Sequence, residues 1–430
     1  MGVINSRACS KLGAVIVLAL PLSSFAQDSY QMGTQLEELI KQNKILEQRI
    51  DLLENKGMQV PSKEQSKINI EMHGYVKADF LYDFGAKSGD RMNYAAIPVG
   101  GDNRLSKGHA RVHARESRFN LTAKKLTNNG DIKAVIEGDF YGSGTKSPAG
   151  SEVISNSVEL RLRHTYVSGG TWLVGQTWSN YVDVKSFPEN LDFANDTGQA
   201  FLRQGQIRYT QSLGDITISY SVENPESDFV DEAGMKRANS RDEFPDLTAR
   251  FLYKQDWGHV SLQSVLRHLS VDDGVNSDSS TGYGLGLSGK IALTENDQIK
   301  FHFSSGDGIG RYIQEAANSA AAVNFSASEN GLSLQTQKAY GGYLGYQHKW
   351  LPTLRSNVNA GFVEIDWNKS QLGGVAEVQN ESLKSYHVNL IWKAMADLDV
   401  GVELSRAERN LLNGQSGEIE RLQVSAKYKF

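Results

Sequence analysis

From Ile70 onward the chain alternates apolar and polar residues in stretches of about ten, separated by turn-rich segments. Ile216, Ile218, Tyr220 and Val222 alternate with Thr217, Ser219, Ser221 and Glu223. Leu398, Val400, Val402 and Leu404 alternate with Asp399, Gly401, Glu403 and Ser405. Leu422, Val424, Ala426, Tyr428 and Phe430 alternate with Gln423, Ser425, Lys427 and Lys429. A period of two puts each class on its own face of a strand. Sixteen such segments fall near 70–82, 115–127, 131–142, 157–168, 171–178, 201–211, 214–224, 245–255, 258–270, 281–293, 297–306, 336–350, 353–367, 381–393, 397–409 and 417–430. Counts of 14 or 18 also fit, because each segment is a weak signal alone.

Two all-β architectures bury one face of such strands. A soluble sandwich turns the apolar face inward and uses strands of about 5–6 residues. A membrane barrel turns it outward into lipid and needs about 9–11 residues per crossing. The connections favour the barrel. Asn128-Asn129-Gly130, Gly169-Gly170, Ser212-Leu213-Gly214 and Asp256-Trp257-Gly258 are tight turns, and they alternate with long polar stretches. Short turns at one end and long loops at the other are the sidedness of an outer-membrane barrel. Tyr75, Tyr82, Tyr166, Trp172, Tyr209, Tyr253, Trp350, Trp367, Trp392 and Tyr428 lie near strand ends, where interfacial girdles are expected. The fold class predicted is all-β: a transmembrane antiparallel β-barrel of about 16 strands, over 67–430, with a short N-terminal α-helical coiled coil.

The N-terminus is organised differently. Arg7 and Lys11 precede an apolar run from Leu12 to Leu22, and Ser24-Phe25-Ala26 follows; residues 1–26 read as a signal peptide cut after Ala26. Cys9 leaves with it, so disulfides are excluded from the mature chain, and the net charge moves from −5 to about −7. Leu36, Leu39, Asn43, Leu46, Ile50 and Leu53 form an a/d seam within the segment 27–66, expected in the periplasm. Gly57, Pro61 and the polar stretch after them end the helix as a linker. So short a helix needs partner strands.

Strand parity assigns the lumen. Lys77, Arg118, Lys124, Lys133, Arg161, Arg163, Arg208, Arg250, Arg267, Lys290 and Lys300 share the inner parity. The acids there are fewer: Asp79, Glu137, Asp139, Glu159, Glu223, Asp399 and Glu403. Rings of Arg and Lys favour anions in a pore. Two readings stay open at this point: the basic residues face open water, or they pair with the lumen acids. Arg161, Arg163 and Arg208 neighbour a long loop and are placed near a constriction. That loop, 179–200, carries Asp183, Glu189, Asp192 and Asp196, with Phe187-Pro188 and Phe193 as packing anchors. Folded inward, its acids either face the basic wall, giving a transverse field, or pin the loop to the barrel.

The stretch Arg161-Leu162-Arg163-His164-Thr165-Tyr166 leads to Gly175-Gln176-Thr177-Trp178-Ser179. Pro188-Glu189-Asn190-Leu191-Asp192-Phe193 and Arg203-Gln204-Gly205-Gln206-Ile207-Arg208-Tyr209 follow. This set resembles the DcaP-like porins of Gram-negative outer membranes. The resemblance implies a homotrimeric diffusion porin for small anionic solutes, dicarboxylates above all. Outer-membrane lipid and lipopolysaccharide would surround it, and the barrel-assembly machinery would insert it. Tyr428 and Phe430 look like the C-terminal assembly signal of such barrels. The family commonly carries Gly-Pro where this chain has Asn195-Asp196. A non-selective or sugar-type porin is the nearer alternative, and an outer-membrane enzyme or adhesin the more distant one. The nine histidines are scattered and no HExxH occurs, so neither catalysis, a metal nor a cofactor is expected, and no nucleic-acid partner.

Overall fold

The computed structural model describes residues 41–42, 44–45, 47–48, 68–101, 108–127, 130–142, 156, 158–231, 241–317, 319–324, 332–372 and 377–430. The described residues between 41 and 48 are helical. The expected signal peptide and the seam positions Leu36, Leu39, Asn43, Leu46, Ile50 and Leu53 lie outside the described residues.

The compact unit Ser66–Phe430 is a closed antiparallel barrel. Its wall is built from β1 (Ile68–Asp83), β2 (His109–His113), β3 (Arg118–Lys125), β4 (Ile132–Asp139), β5 (Arg161–Gly169), β6 (Trp172–Trp178), β7 (Arg203–Leu213) and β8 (Ile216–Glu223). A separate strand, β9 (Phe229–Asp231), follows. The wall continues with β10 (Asp246–Gln255), β11 (Gly258–Asp272), β12 (Ser277–Ala292) and β13 (Asp297–Asp307). After β14 (Ala321–Asn324) and β15 (Ser333–Thr336) it ends with β16 (Lys338–Leu351), β17 (Leu354–Asp366), β18 (Asn380–Met395), β19 (Leu398–Leu411) and β20 (Ser416–Lys429). β2 and β3 both pair with β1, over its second and first halves, and so share one place in the wall. That gives 16 wall positions, closed where β1 pairs with β20. Each predicted segment corresponds to one of them.

The two faces are inverted relative to a soluble protein. Outward Leu262, Leu266, Leu285, Leu287, Val388 and Leu390 are exposed, whereas inward Ser261, Gln263, Ser288, Ser385, His387 and Asn389 are buried. Exposing a continuous apolar band is unfavourable in water and favourable in lipid. Trp172, Tyr253, Trp350, Trp392 and Tyr428 stand on this outer face near the short-turn end. Phe430 continues the closing pairing through Gly74, to whose carbonyl it donates at 3.1 Å.

Three expected girdle residues are placed elsewhere. Tyr75 points inward, its hydroxyl 3.2 Å from Glu116. Trp367 is buried inside, its indole donating to the Asn380 carbonyl at 2.8 Å. Tyr166 follows a β-bulge that resets parity: Glu137 faces His164 and Gly138 faces Leu162, leaving Arg163 as the extra residue.

The alternation also predicts a polar inner face along every strand. At the long-loop ends the inner face is apolar instead. Tyr94, Ile97, Tyr181, Val182, Ile309, Tyr312, Ile313 and Leu372 come from the loops, and Ala339, Val363, Ile365, Leu383, Ala407 and Ile419 from the wall; all belong to one buried cluster. β9, β14 and β15 form a small sheet of their own beside it, over Leu269 and Val271. Folded-in loops supply the dry surface on the inside, while the outer face of the same strand ends carries charge, as in Arg406 with Glu418 at 2.6 Å.

A charge on the outer face tests the lipid assignment. Leu262→Arg is expected to lower the unfolding free energy in lipid vesicles by about 2–4 kcal/mol, the depth-dependent cost of arginine against hydrocarbon. An unchanged value would mean that this face does not meet lipid.

Candidate channel constriction

The third long connection, 179–202, leaves β6 and returns to β7 with its base tied by Ser179 N–H to the Leu202 carbonyl at 2.9 Å. Between these points it runs inside the barrel. The polar inner positions of the far wall receive it one after another. Tyr181 donates to Ser304 at 3.0 Å, and Ser186 lies 2.8 Å from the Tyr343 hydroxyl. Asn359 donates to Asn190. Leu191 and Asp192 N–H groups donate to Glu403 at 2.7 and 3.1 Å, and Thr197 N–H to Ser385 at 3.0 Å. Gly198 (φ 75°) allows the closest approach, since a Cβ there would fall 1.9 Å from the Phe362 carbonyl oxygen.

The loop's acids pin it. Asp183 lies 2.7 Å from His259 and accepts from Ser288 at 3.0 Å, with Arg250 at 3.5 Å. Glu189 takes the Arg355 guanidinium, with Nε at 2.7 Å. Asp192 pairs with Arg421 at 2.8 Å and accepts from the N–H groups of Met92 and Ala194. Burial would raise each of these three carboxyls. Their partners together outweigh it and hold all three below the usual carboxylate range: His259, Arg250 and Ser288 at Asp183, Arg355 and Lys300 at Glu189, and Arg421 with the Ala194 and Met92 N–H groups at Asp192. Asp196 is the exception. It is fully buried with one oxygen unpartnered, and desolvation pushes it up to about 6 despite His387 and the hydrogen bond from Asn190.

Opposite the loop stands the basic wall. Arg161 grips Asp139 through Nε and Nη2 at 2.9 and 2.7 Å. Arg163 bridges Glu137 and Asp139, both at 2.8 Å. Arg118 lies 3.6 Å from Glu137. Arg118, Arg163 and Glu137, with Lys427 and the loop's Phe187, Pro188, Glu189, Asp192 and Phe193, line a recess of about 410 Å³, and Arg161 and Asp139 stand beside it. Phe193 stacks on Tyr141 at 4.4 Å and lies beneath the Arg161 guanidinium; Phe187 meets Trp178 edge-on.

The other predicted basic residues are placed differently. Lys77 is buried in contact with Glu116, with Asp79 at 3.3 Å and the Leu191 carbonyl at 2.6 Å. Arg208 donates to the Trp178 carbonyl and to Gln206, and Arg250 to the Val182 carbonyl, so both hold the loop's first turn. Lys133 sits opposite Lys124 and Ser168, toward the short turns. Arg267 is a correction: it is fully buried, paired to Asp228 at 2.9 Å and Asp246 at 3.3 Å. Gly308 also accepts from it, because incoming loops cover that end of β11.

Two residues were not singled out by the sequence reading. Lys427 stands 4.1 Å over the Tyr75 ring; its place on the polar parity of the last strand was the available signal. Arg203 lies 4.3 Å over Trp178 and 5.0 Å over Phe201. It opens its strand, where alternation carries no information. Neither makes an ion pair among the described residues. Among the described residues no group of three His, Cys, Asp or Glu is placed to hold a metal.

The carboxyl shifts have opposite signs. Asp183, Glu189 and Asp192 are held low, so their contribution to stability is present at neutral pH and lost as pH falls through the carboxylate range. Asp196 is held high; its contribution is full below its unfolded value and lost as pH rises through about 6. Asp196→Asn is expected to raise the denaturant midpoint near about pH 8 and to leave it unchanged near about pH 4. An equal effect at both would contradict a buried, unpaired carboxylate. Arg421→Met, which strands Asp83 and Asp192, is expected to cost about 3–5 kcal/mol at neutral pH in the same assay.

The fold has known counterparts. A family model described as DcaP outer membrane protein matches residues 26–430. Curated proteins gave no match. Among solved structures, the outer membrane channel DcaP of Acinetobacter baumannii superposes with a TM-score of 0.72 at 23% identity, over 85% of this chain and 98% of that one. The anion-selective porin from Comamonas acidovorans gives 0.54 at 10% identity, over 85% and 100%. OmpF of Salmonella typhi, in complex with daunomycin, gives 0.51 at 11% identity, over 84% and 97%. Such identities speak for the fold alone. The family match over nearly the whole chain goes further: this chain belongs to the DcaP outer membrane protein family, as an outer-membrane channel of porin architecture.

Proposed function

We propose that the channel passes small anionic solutes, dicarboxylates above all, by passive diffusion between the loop and the basic wall. One observation carries this reading. The loop's carboxylates take partners from the far wall, while Lys427 lines the recess and Arg203 stands over its Trp178 and Phe201, both without an ion-pair partner among the described residues. Around the recess, Arg118, Arg163 and Lys427 stand against Glu116 and Glu137, the lining loop acids Glu189 and Asp192 being paired with Arg355 and Arg421. Three cations against the two carboxylates that the far wall does not hold, with Arg203 over Trp178 at the edge, leave an excess of positive charge in a narrow passage.

A sugar-type porin is the second reading, favoured by the aromatic cluster of Tyr141, Trp178, Phe193 and Phe201. Guanidinium groups stand over all four rings, Arg161 over two and Arg203 over the other two, which speaks against an open stacking surface for sugars. The same reading includes a homotrimer with the 27–66 segments gathered in the periplasm, export by residues 1–26, a lipopolysaccharide-bearing surround, and Tyr428 and Phe430 as the signal to the barrel-assembly machinery. Nothing in it requires catalysis.

The test is the reversal potential of the purified channel in a planar bilayer under a KCl gradient. An anion-preferring value is expected. Arg203→Glu with Lys427→Glu is expected to move it toward cations, since neither substitution breaks an ion pair. A cation-preferring wild-type channel, or a double variant with unaltered selectivity, would refute the reading.

A further inference from the structure

Beneath the loop, on the wall opposite the arginines, a second recess of about 630 Å³ opens among the short turns that follow β10, β12 and β16. Lys185 of the loop and Lys254, Lys290, Lys300 and Lys349 of the wall line it. Lys290 and Lys300 stand directly opposite each other on adjacent strands, with Lys300 also donating to the Phe187 carbonyl at 2.8 Å. Like charges in direct register destabilise a sheet. None of the five lysines makes an ion pair among the described residues. Three carboxylates stand at the rim, Asp256, Glu295 and Asp297, of which Asp297 is already engaged by His348 at 2.7 Å and by Thr294 at 2.5 Å, so five lysines exceed the acids. The loop acids Asp183 and Glu189 are held by His259 and Arg355.

We propose that this recess is a second binding site for dianions, at the short-turn mouth and separate from the arginine constriction. A concave site with low-dielectric walls concentrates the field of its charges. Two facing ammonium groups suit a solute with two anionic oxygens groups apart, such as a dicarboxylate, or a doubly charged phosphate. A bound dianion also relieves the Lys290–Lys300 repulsion, which the sheet alone leaves uncompensated. A solute crossing the channel then has two successive stations, arginine-lined and lysine-lined. The proposal rests on the anion-channel reading and adds to it a site with its own residues.

The experiment is current block in a planar bilayer. Succinate, and separately inorganic phosphate, is added to one side of a KCl-conducting channel and then to the other. Block from the short-turn side is expected at lower concentration and with shallow voltage dependence. Lys290→Gln with Lys300→Gln is expected to raise that half-blocking concentration roughly tenfold, equivalent to about 1.4 kcal/mol. The sign of the KCl reversal potential stays as in the wild type, because Arg118, Arg163, Arg203 and Lys427 keep their charges and the loop's Asp183, Glu189 and Asp192 keep their partners. Lys185→Gln, on the exposed loop surface and safe for folding, is expected to shift block in the same direction by a smaller factor. An anion-preferring channel whose block is equal in wild type and variants overturns the second site while sparing the anion reading. A wild-type channel without anion preference overturns the reading on which it rests. Block by only one of the two probes assigns the site to that chemistry.

Discussion

Three carboxylates on one loop take their partners from the same half of the barrel. Asp183 reaches His259 and Ser288, Glu189 reaches Arg355, and Asp192 reaches Arg421. Each would be costly to bury alone, and each is held by donors that the far wall supplies. The consequence is geometric before it is electrostatic. A loop fixed to one side of the lumen leaves its passage on the other, against Arg118, Arg161, Arg163 and Arg203. Had the acids turned the opposite way, they would have neutralised that wall. The charge asymmetry of the constriction therefore follows from where the loop spends its negative charge.

The loop needs an unusual inner surface to hold it. A wide barrel exposes a polar lumen to water. Here Ser, Asn, His and Gln side chains on the far wall instead accept and donate to loop backbone and loop side chains. Above them, Tyr94, Tyr181, Ile309, Tyr312 and Ile313 build a dry core from the loops against Ala339, Val363 and Leu383. Arg267, whose parity alone points to the lumen, is a buried ion-pair centre for the same reason. The channel is what remains once half of the barrel interior has become protein core.

Much of this was legible in the chain. Outward Leu262 and Leu285, and inward Gln263 and Ser288, follow directly from a period of two. The strand count and the inward loop could be read from the alternation of turns and long connections. Of Arg161, Arg163 and Arg208, which parity sets near the long loop, Arg163 lines the recess, Arg161 stands over Phe193 beside it, and Arg208 holds the Trp178 carbonyl. What alternation could not give was anything that breaks it. The bulge at Arg163 turned Tyr166 inward, and Arg203 is the first residue of its strand. Trp367 and Arg267 depend on loops that fold over them, a tertiary effect without a local signature. Pairing was equally out of reach: parity placed Lys77 and Arg250 on the inner face but could not show that Glu116 and the Val182 carbonyl would take them.

Fixing the loop where it is seen to rest addresses the central point most directly. Thr197 and Ser385 bring their hydroxyl oxygens within 3.3 Å, and Cys9 is the single cysteine of the chain. Thr197→Cys with Ser385→Cys allows a disulfide between loop and wall, and the quantity to measure is the KCl reversal potential before and after oxidation. If the loop already sits pinned to the far wall, the bond forms readily and the anion-preferring potential is the same in both states. A bond that fails to form, or a potential that moves on oxidation, would contradict the pinned loop and the basic passage that it leaves open.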